Sequence, residues 1–350
     1  MRRALALAEH GRGDTRPNPV VGAVVVRGGR VLAEGYHHRA GEPHGEIDAL
    51  AHLGGRAPGA TIYVNLEPCC HTGRTGPCTE ALLAAGIRRV VVGCLDPNPR
   101  VDGRGVTRLR RAGVRVDVGC LEAECREANR AFFVWVREKR PLVTLKAAVT
   151  LDGFIAPQAK AARAPRAPIW ITSPEARAAA HELRAGHDAI LVGAGTVRSD
   201  NPRLTVRDSK RRPVRQPLRV VLAGRQPLPA DAHVFDQAAP TLTIDDPRGR
   251  VAPSRALKLL AARGVQSVLI EGGAAIAGAF IKAGLVDRIA LFVAPKLLGG
   301  GVAVSAGADL PVARALRLGP ISVQHVGPDL LLTADVDRAI TPAIHRARML

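Results

Sequence analysis

The chain carries His44-Gly45-Glu46, then Glu67-Pro68-Cys69-Cys70-His71, then Gly76-Pro77-Cys78. One imidazole and two thiols are ligands that zinc prefers in tetrahedral sites, and a catalytic site keeps the fourth position open for water. A carboxylate two residues after the histidine can move the protons of that water. The stretch therefore predicts one catalytic zinc ion, with His44, Cys69 and Cys78 as ligands and Glu46 as the proton shuttle.

The spacing of the two cysteines departs from the usual motif. Zinc deaminases of nucleobases carry His-x-Glu followed by Pro-Cys-x-x-Cys, whereas here the second cysteine lies nine residues after the first. Cys70 and His71 are alternative ligands, but a Pro-Cys pair followed by a second Pro-Cys pair favours Cys69 and Cys78. Ordinary buried thiols and a loop histidine are the competing interpretation, which four residues in one pattern make less favourable.

Strand and helix patterns place these residues at one edge of a sheet. We predict strands over 20–26, 30–36, 61–66, 89–93 and 114–118, and helices over 2–11, 46–53, 79–85, 106–112 and 121–139. Thr79 is expected to cap its helix. The zinc ligands then lie at strand ends and helix N-termini, where ligands of open α/β sheets gather and thiolates are favoured. The pattern predicts a three-layer α/β domain over residues 1–140.

The second half predicts another α/β domain over residues 141–337. Strands at 142–149, 189–192, 218–222, 267–270 and 289–294 alternate with helices at 174–184, 254–263 and 274–283. Ser173 is expected as an N-cap, with Pro174 at the first helical position. Residues 157–168 form a low-complexity insert of Ala, Arg and Pro, and residues 338–350 a frayed tail. The half contains no Gly-x-Gly-x-x-Gly, so a Rossmann dinucleotide site is not predicted.

Composition narrows the classes of protein. Hydrophobic residues make up 47% of the 350 residues, which is enough for two packed cores. The six cysteines all lie in the first 125 residues, unlike a secreted disulfide framework. The N-terminal apolar run is too short for a signal peptide, and no apolar run is long enough to span a membrane. We expect a cytoplasmic protein without a membrane partner.

The net charge of +19 raises the hypothesis of nucleic-acid binding. Aromatic residues make up only 3% of the chain, and the basic tracts at 104–115 and 210–215 contain none. Stacking platforms for bases are therefore scarce, and we expect a solvated basic surface with a few phosphate-binding arginines and no nucleic-acid partner. A basic RNA-editing deaminase is the competing hypothesis, and strongly salt-dependent RNA binding would be its signature.

The first half resembles the deaminase domain of the bifunctional riboflavin-biosynthesis deaminase–reductases. The resemblance rests on residues 17–24, 41–46, 66–69, 73–78 and 96–99, and the family shares the long spacing between the two cysteines. It implies a cytidine-deaminase-like fold and a free phosphoribosylated pyrimidine as substrate. It also implies substrate contacts from Asn18, His37, His71 and Arg74. For Asn18 a simple turn residue is the alternative, and for His37 a surface residue beside His38.

The second half resembles the reductase domain of the same family, through residues 146–153, 170–173, 193–207, 271–273 and 294–300. The resemblance implies a dihydrofolate-reductase-like fold that uses NADPH. Substrate contacts would come from Arg184, Leu204, Arg207 and Glu271, with Lys146 near the reacting ribose. Cofactor contacts would come from Ala148, Trp170, Thr196, Asp200, Gly272 and Gly273. Guanidinium groups suit a ribose phosphate, and glycines at a strand–helix turn let backbone N–H groups approach a pyrophosphate.

Together the resemblances imply a two-step enzyme of riboflavin biosynthesis. The first half would deaminate 2,5-diamino-6-(5-phosphoribosylamino)pyrimidin-4(3H)-one, and the second would reduce the ribosyl group with NADPH to give 5-amino-6-(5-phosphoribitylamino)uracil. Pro168 stands where the family has a substrate-binding serine two residues before Trp170. A deaminase whose reductase half is impaired or structural is therefore an alternative. The sequence leaves open a homo-oligomer and channelling between the sites.

Overall fold

Two units of alternating strands and helices make up the chain, Met1–Arg140 and Pro141–Leu350, in a computed structural model. The structure describes residues 1–72, 76–158, 170–207 and 215–337. The tail predicted over 338–350, most of the predicted insert, Pro168 and Arg74 lie outside the described residues. Each unit is described by itself below.

The first unit is built on a mixed sheet of five strands within its described residues. In chain order the strands are β1 (Gly22–Arg27), β2 (Arg30–Tyr36), β3 (Thr61–Leu66), β4 (Arg89–Cys94) and β5 (Arg115–Val118). Their order in the sheet is β2-β1-β3-β4-β5; β1 pairs antiparallel with β2 and β3, and β3, β4 and β5 are parallel. The helices are α1 (Arg2–Ala8), α2 (Gly45–Ala51), α3 (Cys78–Ala84), α4 (Arg104–Arg111), α5 (Glu122–Ala128) and α6 (Arg130–Glu138), with a 3₁₀ turn at Glu9–Gly11.

Side chains of β1 show that helices cover both faces of this sheet. Val24 packs with Ala4 and Leu7 of α1, whereas Ala23 and Val25 join a core cluster that also contains residues of α2 and α3. Successive residues of a strand point to opposite faces, so α1 lies on one face and α2 and α3 lie on the other. This arrangement confirms the predicted three-layer α/β fold.

Two predictions about the helices of the first unit are wrong. The helix predicted over 121–139 is two helices, α5 and α6, because Asn129 between them leaves helical geometry (φ −110°, ψ 17°). Its side-chain amide bonds the backbone N–H and C=O of Val20, a contact across 109 residues that no local pattern reveals. Thr79 does not cap α3, which begins at Cys78 with Pro77 as its N-cap and no side-chain cap bond.

The second unit contains a sheet of eight strands among its described residues. Six parallel strands run in the order β10-β9-β8-β11-β6-β12, and β15 and β14 extend the sheet antiparallel. The strands are β6 (Leu142–Thr150), β8 (Ala189–Gly193), β9 (Leu218–Leu222), β10 (Thr241–Ile244), β11 (Ser267–Ile270), β12 (Arg288–Ala294), β14 (Ser322–Val326) and β15 (Asp329–Asp335), and a separate pair joins β7 (Phe154–Ala156) to β13 (Val302–Ala303). The helices are α7 (Pro174–Ala185), α8 (Ala194–Asp200), α9 (Pro253–Ala262) and α10 (Ala274–Lys282).

Local sequence signals predicted most of the parallel strands of this unit, but not its edge strands and short elements. Ser173 Oγ accepts a hydrogen bond from the N–H of Ala176, with Pro174 at the first position of α7, which confirms the predicted cap. The predictions did not include β7, β10, β13, α8 or the hairpin of β14 and β15. Every residue of β14 is at least partly exposed, so the strand lacks the buried pattern that marks a strand in sequence. No helix in the described part of the chain is long and apolar enough to cross a membrane.

Candidate functional site

The predicted zinc ligands come together in the first unit. His44 is the N-cap of α2, Cys69 follows β3, and Cys78 begins α3. The Nδ1 atom of His44 lies 3.2 Å from the sulfur of Cys78 and 3.6 Å from that of Cys69, and the three ligand atoms all lie within 4.8 Å of one another. Ligands around one tetrahedral zinc ion stand about 3.5–4 Å apart at ordinary bond lengths, so this cluster fits zinc.

The electrostatics of the two thiols also suit a metal. A hydrogen bond from the Cys78 thiol lowers the pKa of Cys69 to about 4 despite burial, and His44 contributes to the same shift. The same bond raises the pKa of Cys78, which keeps the proton. The bond to Cys69 raises the pKa of His44. A zinc ion would replace the shared proton and hold both sulfurs as thiolates.

Glu46 lies beside the cluster in the first turn of α2 and is 2% exposed. Its Oε2 atom is buried without a hydrogen-bond partner among the described residues. Burial raises the pKa of this carboxyl group above its usual range, which suits a group that must both accept and donate a proton. An unpartnered buried oxygen is costly in a folded protein, and a bound water or substrate would provide its partner.

A pocket of about 290 Å³ opens onto this cluster and brings together most of the predicted substrate residues. Asn18, His37 and His71 line it together with His44 and Glu46. Arg74 lies outside the described residues. The roles of these residues in substrate binding stay predictions.

The wall formed by Asn18 and His37 has a defined polarity. His37 is 1% exposed and is therefore not the surface residue that the alternative proposed. Its Nδ1 lies 2.9 Å from the carbonyl oxygen of Pro43, so Nδ1 carries the proton in the neutral ring. Nε2 then accepts a hydrogen bond from the amide nitrogen of Asn18 at 3.1 Å. Burial lowers the pKa of His37, which favours this neutral form. The Oδ1 of Asn18 is not used in this bond and is the acceptor that the amide offers to a substrate.

Two acidic residues that the sequence reasoning did not select also line the pocket. Asp96 follows β4, and burial raises its pKa to about 7. Glu67 follows β3, directly before the first Pro-Cys pair, and accepts hydrogen bonds from the backbone N–H groups of Asp96, Gly103 and Val106. Both stand at the carboxyl ends of neighbouring parallel strands, and that position is the sequence signal that could have selected them.

Gly45, between the histidine and the glutamate, lies close to the backbone that precedes β1. A Cβ atom on Gly45 would lie 2.8 Å from the carbonyl oxygen of Val21. The absence of a side chain therefore lets the start of α2 approach the strand that carries the pocket wall.

A second group of charged residues gathers in the second unit around Glu271, which follows β11. The guanidinium of Arg184 donates to both carboxylate oxygens, at 2.6 and 2.8 Å, and the ammonium of Lys146 lies 3.8 Å away. Burial alone would raise the pKa of Glu271, but Arg184 and Lys146 lower it to about 2. Burial lowers the pKa of Lys146. Three donors of Arg184 are already used, the third by the carbonyl of Thr205, so this arginine is less open to a phosphate than predicted.

The glycine turn of the second unit is tied to a neighbouring loop. Gly273 is the N-cap of α10, and its N–H donates to Oγ1 of Thr196 in α8 at 3.2 Å. The two helices therefore begin side by side at the carboxyl ends of β8 and β11, which are adjacent parallel strands. Gly195 has open space where a Cβ would stand, and Gly273 has only Thr196 nearby. Such paired helix N-termini with small residues fit a dinucleotide diphosphate.

The remaining predicted residues of the second unit are more dispersed. Trp170 is 60% exposed and stacks on the guanidinium of Arg177, 4.6 Å from the ring centre. Arg207 is exposed and donates to Oγ1 of Thr205. Ala148 lies on β6 beside the small core cluster of Ala176, Ala180 and Phe292, and Asp200 is exposed at the end of α8.

Leu204 is the predicted substrate residue whose placement agrees least with the prediction. Its side chain is 2% exposed and packs into a core cluster with Ile190 and Val192. Its backbone has a positive φ of 51°. The structure therefore does not support a substrate contact from its side chain. Only the backbone groups of this strained residue remain as candidates for such a contact.

Comparison with known proteins assigns a class to each unit. Residues 1–94 match the family model of the cytidine and deoxycytidylate deaminase zinc-binding region, and residues 141–332 match that of the RibD C-terminal domain. The fold and the clusters thus define a zinc-binding deaminase joined to a reductase.

Relatives similar over their whole length then identify the family. Riboflavin biosynthesis proteins RibD of Aquifex aeolicus and Escherichia coli are 40% and 39% identical, over 95% of this chain and 96–97% of theirs. The structure of Acinetobacter baumannii RibD aligns with a TM-score of 0.85 at 35% identity, over 96% of this chain and 98% of that one. A Thermotoga maritima diaminohydroxyphosphoribosylaminopyrimidine deaminase/5-amino-6-(5-phosphoribosylamino)uracil reductase aligns with a TM-score of 0.86 at 36% identity, over 96% and 97%. The chain belongs to the RibD family of bifunctional deaminase–reductases of riboflavin biosynthesis.

Proposed function

We propose that the first unit removes an amino group from 2,5-diamino-6-(5-phosphoribosylamino)pyrimidin-4(3H)-one and that the second unit reduces the ribosyl group of the product with NADPH. The product would be 5-amino-6-(5-phosphoribitylamino)uracil. The observation that carries the first step is the buried, unpartnered Oε2 of Glu46 beside a cluster of His44, Cys69 and Cys78. The similar Thermotoga protein, whose name states both activities, supports the choice of substrate.

In the deamination, the chain's own residues position the pyrimidine and move protons. A zinc ion bound at the His/Cys cluster would acidify a water molecule. Glu46 would take a proton from this water as its oxygen bonds to the ring carbon, and would pass the proton to the amino group as the C–N bond breaks and ammonia leaves. Asn18 would accept from the ring with Oδ1 while its amide nitrogen stays on His37. His71, whose Nδ1 is buried without a partner among the described residues, would donate to or accept from the substrate.

In the reduction, NADPH would supply a hydride to the ring-opened ribosyl carbon when bound. The first turns of α8 and α10, which carry Thr196 and follow Gly273, would hold the diphosphate through backbone N–H groups. Glu271 would accept hydrogen bonds from hydroxyl groups of the ribose, and Arg184 and Lys146 keep this carboxylate ionised. Arg207, exposed in the segment that follows α8, would bind the phosphate.

The substrate class and the environment follow from these assignments. The partner would be a small phosphorylated nucleotide, without nucleic acid or membrane. All six cysteines are free thiols in the structure, which supports a cytoplasmic location because oxidising compartments favour disulfides.

Ammonia release from the pyrimidine substrate tests the first step. Glu46→Gln should reduce kcat by about a thousandfold or more, since the proton shuttle is removed, while bound zinc stays at one ion per chain. Glu80→Gln, an exposed glutamate on α3, is the matched control and should retain wild-type activity. Ammonia release that persists in Glu46→Gln would refute the assignment of this carboxylate.

NADPH oxidation with the deaminated substrate tests the second step. Arg207→Ala should raise the KM for the substrate by about ten- to a hundredfold, as expected for a lost phosphate contact. Arg203→Ala, in the same segment and also exposed, is the control. Wild-type protein that releases ammonia but leaves NADPH unoxidised would instead favour the alternative of an impaired or structural reductase half.

A further inference from the structure

Two buried asparagine side chains hold the backbone that precedes β1 in the first unit. Asn129, between α5 and α6, accepts from the N–H of Val20 at 2.9 Å with Oδ1 and donates to its carbonyl at 2.9 Å with Nδ2. Asn65, on β3, accepts from the N–H of Gly22 at 2.8 Å and donates to the same Val20 carbonyl at 3.0 Å. Asn65 is 0% and Asn129 is 4% exposed. We call these two residues the amide clamp.

The backbone under the clamp forms one wall of the catalytic pocket. Asn18 lies two residues before Val20, and Val21 between the clamped groups lines the pocket itself. The carbonyl of Val21 accepts from the N–H of His37 at 2.8 Å, and the side chain of His37 is bonded to Asn18. The clamp therefore fixes both members of the Asn18–His37 pair through the backbone that connects them.

The two clamp residues lie close in sequence to other residues that line the pocket. Asn65 stands on β3, two residues before Glu67 and four before the zinc ligand Cys69. Asn129 stands three residues before Phe132, which lines the pocket from α6. A rigid connection between these elements and residues 20–22 would fix the distance between the substrate wall and the zinc ligands.

The same contact accounts for the break between α5 and α6. Asn129 is the shared cap residue of the two helices and lies outside helical φ and ψ. At this break its amide pairs with one donor and one acceptor of a distant backbone.

We propose that Asn65 and Asn129 are positioning residues of the deaminase, which hold the Asn18–His37 wall at the distance from the zinc cluster that the pyrimidine requires. The inference rests on the proposed deaminase function. Neither residue touches the pocket, so each acts on the substrate through the backbone of residues 20–22. Loss of either clamp bond should weaken substrate binding more than the chemical step.

The test uses Asn129→Asp and Asn65→Asp in the full-length, zinc-loaded protein. Each change keeps the oxygen that accepts from the backbone N–H and replaces the donor to the Val20 carbonyl with an oxygen. We expect the KM for the pyrimidine to rise about tenfold, which corresponds to one lost hydrogen bond, while kcat stays within about twofold. Zinc content and the reductase activity of the same protein should be unchanged.

A control and a second measurement separate positioning from simple destabilisation. Ile62→Val lies on β3 and is fully buried, and its register partner on β1 is Val25 rather than a residue of the clamped segment 20–22; it should lower the Tm and leave the KM unchanged. Hydrogen exchange of the peptide over residues 16–26 should become faster in both asparagine variants and not in the control. If the aspartate variants do not fold, Asn65→Ser, which keeps a hydroxyl in place of the amide, replaces them.

The outcomes judge the clamp and the deaminase function separately. A wild-type protein that releases no ammonia refutes the proposed function, and the exchange rate of residues 16–26 then still decides whether the clamp holds this backbone. With an active wild type, an unchanged KM in the variants overturns the proposal. The proposal is also overturned if kcat, bound zinc and Tm all fall together while KM does not change by itself. The two residues would then have a structural role only.

Discussion

Glu67 offers the sharpest test of how the pocket is held together. Its carboxylate is 3% exposed and accepts three backbone N–H groups: Gly103 at 2.9 Å and Asp96 at 3.3 Å on Oε2, and Val106 at 3.0 Å on Oε1. In Glu67→Gln the amide can keep its oxygen on the first two donors only by facing its NH₂ group towards the N–H of Val106.

The cost of this change can be worked from the three bonds. One bond to a charged group is lost, which costs about 1.5–3 kcal/mol, and its donor stays buried without a partner. The two remaining bonds change from charged to neutral acceptors, which are roughly half as strong. The neutral amide also costs less to bury than the carboxylate, which offsets part of these losses. We expect the free energy of unfolding of the first unit to fall by about 2–4 kcal/mol in total.

Trp135 of α6 allows this loss to be measured in the first unit alone. The chain has two tryptophans, so Trp135 is the remaining one when every protein carries Trp170→Phe. Its fluorescence during urea or thermal unfolding then reports on the first unit. A loss of 2–4 kcal/mol should lower the Tm by about 8–16 °C, at roughly 4 °C per kcal/mol for a unit of this size.

The matched control for this experiment is Glu80→Gln on α3. Glu80 binds Arg108 through an exposed ion pair, with both side chains about half exposed, and such pairs contribute at most about 1 kcal/mol. A Glu67→Gln variant as stable as this control would refute the reasoning, because buried N–H groups would then have found other partners at no cost.

Three further predictions concern Glu271, the zinc cluster and Lys139. Arg184 lowers the pKa of Glu271 from 4.5 to about 2, although burial opposes this. The carboxylate therefore stabilises the second unit fully above pH 4.5 and loses this contribution, about 3 kcal/mol, as the pH falls towards 2. In Glu271→Gln the free energy of unfolding should fall less steeply over this pH range in an acid titration. Chelation of zinc should abolish ammonia release and leave NADPH oxidation with the deaminated substrate unchanged, because the predicted metal ligands lie in the first unit; a parallel loss of both activities would contradict this. Lys139, exposed at the end of α6, has a φ of 55° and a ψ of 33°, so Lys139→Gly should stabilise the first unit by about 1 kcal/mol in the same fluorescence assay, and a loss of stability would count against backbone strain at this position.

The sequence predicted those parts of the site whose chemistry is local. His44 and Glu46 share one helix start, and Cys69 and Cys78 each follow a proline at a boundary between elements. Strand ends and caps are encoded by a few neighbouring residues, so their positions could be predicted to within a few residues. The α/β character of both units followed from the same signals.

The parts that the sequence did not predict depend on contacts between distant residues. The break at Asn129 lies in a segment whose composition suits one long helix, and only Val20, which lies 109 residues earlier, explains it. The core position of Leu204 and the pairing of Arg184 with Glu271 are likewise long-range. Propensity and periodicity describe neighbours along the chain, and tertiary contacts override them at such positions.

These distant contacts share a physical form that bears on how the site is made rigid. Asn65, Asn129 and Glu67 each direct a buried polar side chain to backbone N–H or C=O groups of a loop beside the pocket. A loop with exposed backbone would otherwise bond to water and sample several conformations. A buried side chain that satisfies those groups makes each alternative conformation cost an unpaired polar group. The pocket walls would thus be held by polar contacts, while the zinc cluster would need only the short loops that carry its ligands. Substitutions among these backbone-binding residues should therefore change substrate affinity before they change metal binding.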